Sequence, residues 1–192
     1  CHNIPGKPLG TVLLRKNTFA CASMGLSLDV TGQQSHAAYP EQGKNPAFLL
    51  SNIVLALPEL IDHITHGDPE RLLMATVVQM KVGERNFGVS AGTGTLALTL
   101  RAYRQEDIEA LEKAILEMAQ TGCEKTGMTW QSSRQDVFPD TVNRPECCAR
   151  VANILRNADL PTQVLSEPMR WSEDFGWYLQ EVPGMYLGLG AG

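Results

Sequence analysis

The 192-residue chain has little of what marks the specialised protein classes. It has five cysteines, an odd number, with no C-x-x-C or zinc-ribbon spacing. That argues against a disulfide framework and for free, mostly buried thiols in a reducing cytoplasm. Sixteen Lys and Arg against 21 Asp and Glu leave a net charge of −5, so there is no basic footprint for nucleic acid. No stretch approaches the roughly 18 apolar residues of a membrane span, and no membrane partner is expected. There is no P-loop, no dinucleotide fingerprint and no G-x-S-x-G nucleophile motif. No signal or transit peptide is visible. What remains is a globular composition, 43% hydrophobic and 19% charged, which excludes a disordered, collagen-like or coiled-coil chain.

Both ends read as cut from a longer protein. The chain opens at Cys1 directly inside the run His2-Asn3-Ile4-Pro5-Gly6, and it closes on Leu187-Gly188-Leu189-Gly190-Ala191-Gly192 with no polar tail. An active site is therefore expected here only in part.

The middle of the sequence predicts one compact unit. Leu26, Leu28 and Val30 alternate with Ser27, Asp29 and Thr31, the period of a strand with one buried face. A loop holding Ser35-His36-Ala37-Ala38-Tyr39-Pro40 follows. Asn45 then caps a helix with Pro46 at its first position. Leu50, Ile53, Val54 and Leu57 form its apolar stripe, and Pro58 is placed to kink or end it. After a turn at Gly67-Asp68-Pro69, strands are predicted over 72–82 and 95–102, a helix from Glu106, and a strand over 128–135. Leu96, Leu98 and Leu100 point one way and Thr95, Thr99 and Arg101 the other. The order is strand, helix, strand, strand, helix, strand. Two helices cover one face of four strands, the ferredoxin-like βαββαβ arrangement.

The flanks predict something else. A short strand at 12–14, a helix at 145–158, a strand near 163–165, a helix from Ser172 and a buried strand at 185–189 read as an incomplete α/β domain. Three segments are expected: 1–23 and 137–192 from the α/β domain, and 24–136 inserted between them.

Three residues and one acidic run could carry chemistry. His2 is an imidazole of the kind that binds metal, or a solvated histidine at the end of the chain. His36 sits in a loop where it could donate to a developing oxyanion, or bond a nearby backbone carbonyl. Arg101 could clamp a carboxylate bidentately, or be an exposed charge on the open face. In Trp171-Ser172-Glu173-Asp174-Phe175, Ser172 reads as a helix N-cap with two acids in the first turn. Those acids could also orient a metal ligand from behind. His63 and His66 lie near a helix end, where a positive imidazole is favourable without a metal.

Five runs taken in order resemble the dinuclear-metal aminoacylase/carboxypeptidase family, in particular its amidohydrolase branch of hippurate and indole-acetyl-amino-acid hydrolases. They are His2-Asn3-Ile4-Pro5-Gly6, Gly32-Gln33-Gln34-Ser35-His36-Ala37-Ala38-Tyr39-Pro40, Asn45-Pro46, Thr99-Leu100-Arg101, and Trp171-Ser172-Glu173-Asp174-Phe175 through Val182-Pro183-Gly184 to Leu189-Gly190. The resemblance implies a catalytic domain interrupted by a lid that dimerises. It implies that His2 is a metal ligand, that His36 stabilises the tetrahedral intermediate (in some members within the partner subunit's site), and that Arg101 binds the substrate carboxylate. Asn86 is the candidate for a helping Asn, although its spacing to Arg101 is longer than the family's. The implied cofactor is a pair of divalent ions, zinc or manganese. The implied substrate is an N-acyl-amino acid or peptide-like amide, and the implied partner a second copy. The family's remaining ligands and its general-base Glu fall outside these residues, so the chain by itself is expected to be inactive. The competing expectation is a non-catalytic ferredoxin-like module that dimerises or binds a small ligand.

Overall fold

A computed structural model describes residues 1–68 and 70–192; Pro69, the end of the turn expected at Gly67-Asp68-Pro69, lies outside them. In chain order the elements are β1 (His2–Ile4), β2 (Val12–Leu14), β3 (Asn17–Ala20), β4 (Ala22–Thr31), α1 (Ala47–Thr65), β5 (Leu73–Val82), β6 (Thr93–Ala102), α2 (Gln105–Thr126), β7 (Thr129–Phe138), β8 (Thr141–Asn143), α3 (Pro145–Asn157), β9 (Thr162–Val164), α4 (Phe175–Glu181) and β10 (Gly188–Gly190). They form a mixed α/β structure of two units. One comprises Cys1–Ser23, Ala102–Gln105 and Phe138–Gly192; the other comprises Met24–Arg101 and Glu106–Val137.

The second unit is built on a four-stranded sheet in the order β5-β6-β4-β7. The alternation in the sequence decides its faces. Leu26, Leu28, Val30, Leu96, Leu98 and Leu100 are at most 2% exposed, whereas the residues between them are half-buried. Helix α1 covers the leucine face with Leu49, Leu50, Ile53 and Leu57. Its approach depends on Gly94, where an added Cβ would lie 2.8 Å from Leu50 Cδ1. The expected cap is displaced: Pro46, not Asn45, holds the N-cap position without a side-chain cap bond, and Asn45, one residue further out, accepts from Ala47 N through Oδ1 at 2.9 Å. Pro58 does not end it; the helix runs through to Thr65.

Helix α1 also corrects the expectation about apolar stretches. By length and composition it could cross a membrane, with 19 residues and a mean hydropathy of 1.5. Ser51, Asn52, Glu59 and Asp62 interrupt its apolar residues, which is why no continuous run is visible in the sequence. Its buried stripe packs into the unit as that of a globular amphipathic helix does.

Helix α2 buries Ile108, Leu111, Ile115 and Ala119, together with two acids, Asp107 and Glu112. Burying a carboxylate is costly unless it is paired. Both are paired with arginines, one from the segment before β5 and one from β7. Arg71 hydrogen-bonds Asp107. Arg134 on β7 grips Glu112 bidentately, Nε to Oε1 at 2.6 Å and Nη2 to Oε2 at 2.7 Å. At the free edge, β5 exposes Val77, Val78 and Met80.

The first unit has a different logic. Its sheet runs β1-β10-β2-β9, with β1 parallel to β10, β10 antiparallel to β2, and β2 parallel to β9. All three residues of β2 are buried because both faces are covered. Leu13 joins Ile4, Phe19, Ala20, Leu165 and Tyr186 on one side. Val12 and Leu14 join Leu155 on α3 on the other. Strand β10 can lie this close to its neighbours only as glycine: a Cβ on Gly190 would meet Pro8 O at 2.1 Å, and one on Gly188 would meet Ile4 Cγ1 at 2.8 Å. A two-stranded ladder, β3 with β8, ends at Asn143. The Asn143 amide is fully buried and fully used: Nδ2 donates to Arg15 O and Tyr186 O, both at 2.8 Å, and Oδ1 accepts from Tyr186 N. None of the five cysteines forms a disulfide, and Cys21, Cys123 and Cys148 are buried.

Candidate functional site

Within the first unit, strand β1 places His2 opposite Gly188. The imidazole is held on two sides. Its Nδ1 lies 2.7 Å from Glu173 Oε1, and its ring is 4.9 Å from the Trp171 ring at an interplanar angle of 32°. Glu173 is mostly buried, with 13% of its side chain exposed against 52% for His2. The Tyr186 phenol faces the same carboxylate. Burial first, and then the Glu173 and Asp174 carboxylates, push the Tyr186 phenol well above its ordinary value, so it stays protonated.

This arrangement corrects the expected N-cap. Helix α4 begins at Phe175 with Asp174 in the capping position and no side-chain cap bond. Ser172 instead pairs with Ser23, Oγ to Oγ at 2.7 Å. The two acids therefore differ: Asp174 is exposed at the helix end, and Glu173 turns inward to the imidazole. Sequence reasoning missed Tyr186, which it placed in a buried apolar strand. The available signal was the phenol itself, since a buried tyrosine hydroxyl needs a hydrogen-bond partner.

Within the second unit, the loop after β4 carries His36. It is pinned to the β5–β6 connection by a bridge from His36 to Val89 and by bonds from Ala37 N to Gly88 O (3.0 Å) and Ser90 N to Ser35 O (2.9 Å). Asn86 lies in that same connection, where its Oδ1 accepts from Gly88 N at 3.0 Å. Both side chains are exposed. His36 does not bond a backbone carbonyl through its ring. Its Nδ1 accepts from Ala38 N at 3.0 Å, so a neutral ring carries its proton on Nε2 and presents that N–H outward as a donor.

Arg101 is not beside them. Gly32 N donates to Gly92 O, and Thr95 Oγ1 donates to Asp29 Oδ1 at 2.6 Å, so β4 and β6 run antiparallel. His36 lies beyond the Gly32–Gly92 end of this ladder, and Arg101 lies nine residues past Gly92 at the other end. At about 3.4 Å per residue the two ends are on the order of 30 Å apart. The structure thus brings His36 and Asn86 together and sets Arg101 apart, half-buried on the face opposite the leucines.

Among the described residues, no group of three or more His, Cys, Asp or Glu side chains could hold a metal ion. The residues present fit a single position of such a site: one imidazole with an orienting carboxylate on its other nitrogen.

The first unit bears a carboxylate-held histidine, and the second is a four-stranded α/β unit whose residues lie between two segments of the first in the sequence. Residues 21–127 match the M20 peptidase dimerisation domain, and the chain belongs to that family. An N-acetyldiaminopimelate deacetylase of Halalkalibacterium halodurans is 27% identical over 191 residues, 98% of this chain and 50% of that protein. A protein of methicillin-resistant Staphylococcus aureus named for aminohydrolase activity superposes with a TM-score of 0.87 at 23% identity, over 99% of this chain and 48% of that one. The Bacillus subtilis YXEP protein, described as a dinuclear metal binding peptidase from the M20 family, superposes with a TM-score of 0.69 at 15% identity, over 98% of this chain and 46% of that one. The chain spans about half the length of the relatives it matches.

Proposed function

We propose that this chain is part of a metal-dependent amidohydrolase that cleaves an N-acyl-amino acid or related amide to a carboxylic acid and an amine. The observation that carries this reading is the Glu173 carboxylate on His2 Nδ1, which leaves Nε2 as the lone-pair donor for a divalent ion. A bound pair of zinc or manganese ions supplies Lewis acidity and an activated water. The chain's own residues do the rest. His36 Nε2–H donates to the oxyanion that develops on the acyl oxygen. Arg101 grips the substrate carboxylate. Asn86, beside His36, adds a second polar contact. His2 holds its place as a ligand.

The second unit acts in this reading as a ferredoxin-like lid that also dimerises. Its βαββαβ element order and its sheet order β5-β6-β4-β7 support that assignment. With His36 and Arg101 at opposite ends of one ladder, both can touch one small substrate only if they come from different copies. A homodimer through this unit supplies that, with Arg101 from one protomer and His36 and Asn86 from its partner.

The test is hydrolysis of a panel of N-acyl-amino acids by the complete protein, before and after chelation and with zinc or manganese restored. Activity that chelation abolishes and metal restores supports the reading. Activity untouched by chelation refutes it. Failure to hydrolyse any amide while the protein remains dimeric favours a non-catalytic dimerisation module.

A further inference from the structure

Glu173 has no structural task that its position would explain. It lies before α4, makes no cap bond and is mostly buried. A buried carboxylate is costly to keep without partners. Its partners are His2 Nδ1 and the Tyr186 phenol. Tyr186 is itself fixed. It is 5% exposed, its ring packs against Phe19 at 5.5 Å and Phe175 at 5.3 Å, and its backbone N–H and carbonyl are both held by Asn143. The buried Asn143 amide thus anchors the backbone of Tyr186, whose phenol faces the carboxylate that holds the imidazole. The Trp171 ring restricts the imidazole's remaining freedom, rotation about its own axis.

We infer that Glu173, braced by Tyr186, is a positioning residue that fixes the His2 imidazole as the Nδ1–H tautomer with Nε2 aimed at a divalent metal. An ionised carboxylate has only lone pairs to offer, so the proton between the two groups sits on Nδ1. The Nε2 lone pair is then available before any metal arrives. A fixed tautomer and ring plane remove the reorganisation that a half-exposed histidine would otherwise undergo on binding. Tyr186 keeps Glu173 from swinging toward solvent, where it would release Nδ1. The inference rests on the reading of His2 as a ligand.

The test uses the complete protein and two readouts besides activity: zinc and manganese affinity by competition with a chromophoric chelator, and the His2 tautomer by nitrogen-15 NMR of the metal-free protein. Glu173→Met, which cannot accept, is expected to weaken metal affinity about 10–100-fold and to shift the ring away from the Nδ1–H form. Glu173→Gln retains an acceptor oxygen and recovers most of the affinity. Tyr186→Phe gives a smaller loss in the same direction. If Glu173→Met binds within about twofold of the parent while His2→Ala loses the metal, the positioning role is overturned and His2 remains a ligand. If His2→Ala itself binds unchanged, the ligand reading falls and the inference with it. Should Glu173→Met not fold, the unsubstituted metal-free protein decides: a ring in the Nε2–H form overturns the inference, and one in the Nδ1–H form supports it.

Discussion

The separation of His36 from Arg101 makes a quantitative prediction about mixed dimers. Removing either residue alone cripples every site of a homodimer. Loss of an oxyanion donor costs about 10²–10³ in kcat. Loss of a charge-assisted bond to the substrate carboxylate costs roughly 1.5–3 kcal/mol, or about 10–100-fold in kcat/KM. Now let His36→Ala and Arg101→Ala chains be co-expressed in equal amounts and associate at random, so that half the dimers are mixed. In a mixed dimer, one site combines the intact Arg101 of one protomer with the intact His36 of its partner. The other site carries both lesions. Half the dimers with half their sites restored give about a quarter of the wild-type activity. That stands well above the floor set by either variant alone. If both residues served one site from one protomer, every site would keep one lesion and nothing would be recovered. A converse arm uses the double variant mixed equally with wild type. Shared sites predict about a quarter of the activity of the same total of wild-type protein, and sites within one protomer predict about half. Steady-state hydrolysis of an N-acyl-amino acid reads both arms. Recovery near zero in the first arm with half activity in the second would refute the shared site.

Three further outcomes follow from the packing. Gly190→Ala forces a Cβ to within 2.1 Å of the Pro8 carbonyl, a backbone atom that cannot swing away, so it is expected to cost on the order of 3 kcal/mol in urea unfolding. Thr141 Oγ1 is buried without a hydrogen-bond partner, so Thr141→Val is expected to leave stability unchanged or raise it by up to about 1 kcal/mol, and a clear loss would show that the hydroxyl is in fact paired. The Tyr186 phenol is raised in the folded chain above its unfolded value of about 10. Its contribution is thus fully present below about pH 10 and is lost as pH rises further, because the unfolded chain releases the proton first. Tyr186→Phe is expected to flatten that alkaline decline, as followed by thermal unfolding from pH 8 to 11.

Where periodicity reports burial, the elements were legible in the sequence. The Leu26/Leu28/Val30 and Leu96/Leu98/Leu100 alternations become the buried face of a sheet, and the α2 stripe becomes the buried side of its helix. Strand β2 lies at 12–14, as its short apolar run predicts. Strands β1, β3 and β8 were not legible, because three or four residues are too few to show a period and their partners lie far along the chain. The start of α4 was displaced because Ser-Glu-Asp has the composition of a cap, while the Ser172 hydroxyl is taken by Ser23. His36 and Arg101 could be picked out by residue type and position, and Asn86 only through the family resemblance, but their grouping could not be read. Which of His36, Asn86 and Arg101 are neighbours depends on the pairing register of β4 and β6, and register arises from contacts between distant segments.

The outer strand β5 carries a further implication. Its free backbone groups and its outward Val77, Val78 and Met80 form a surface to which another extended segment can add. In the proposed homodimer such a seam makes durability a function of abundance: a scarce chain finds its mate slowly and stays open to mispairing, while an abundant one is protected by mass action. Dilution is then as real a stress for this molecule as heat, and storage concentration becomes a variable to control in any measurement of its activity.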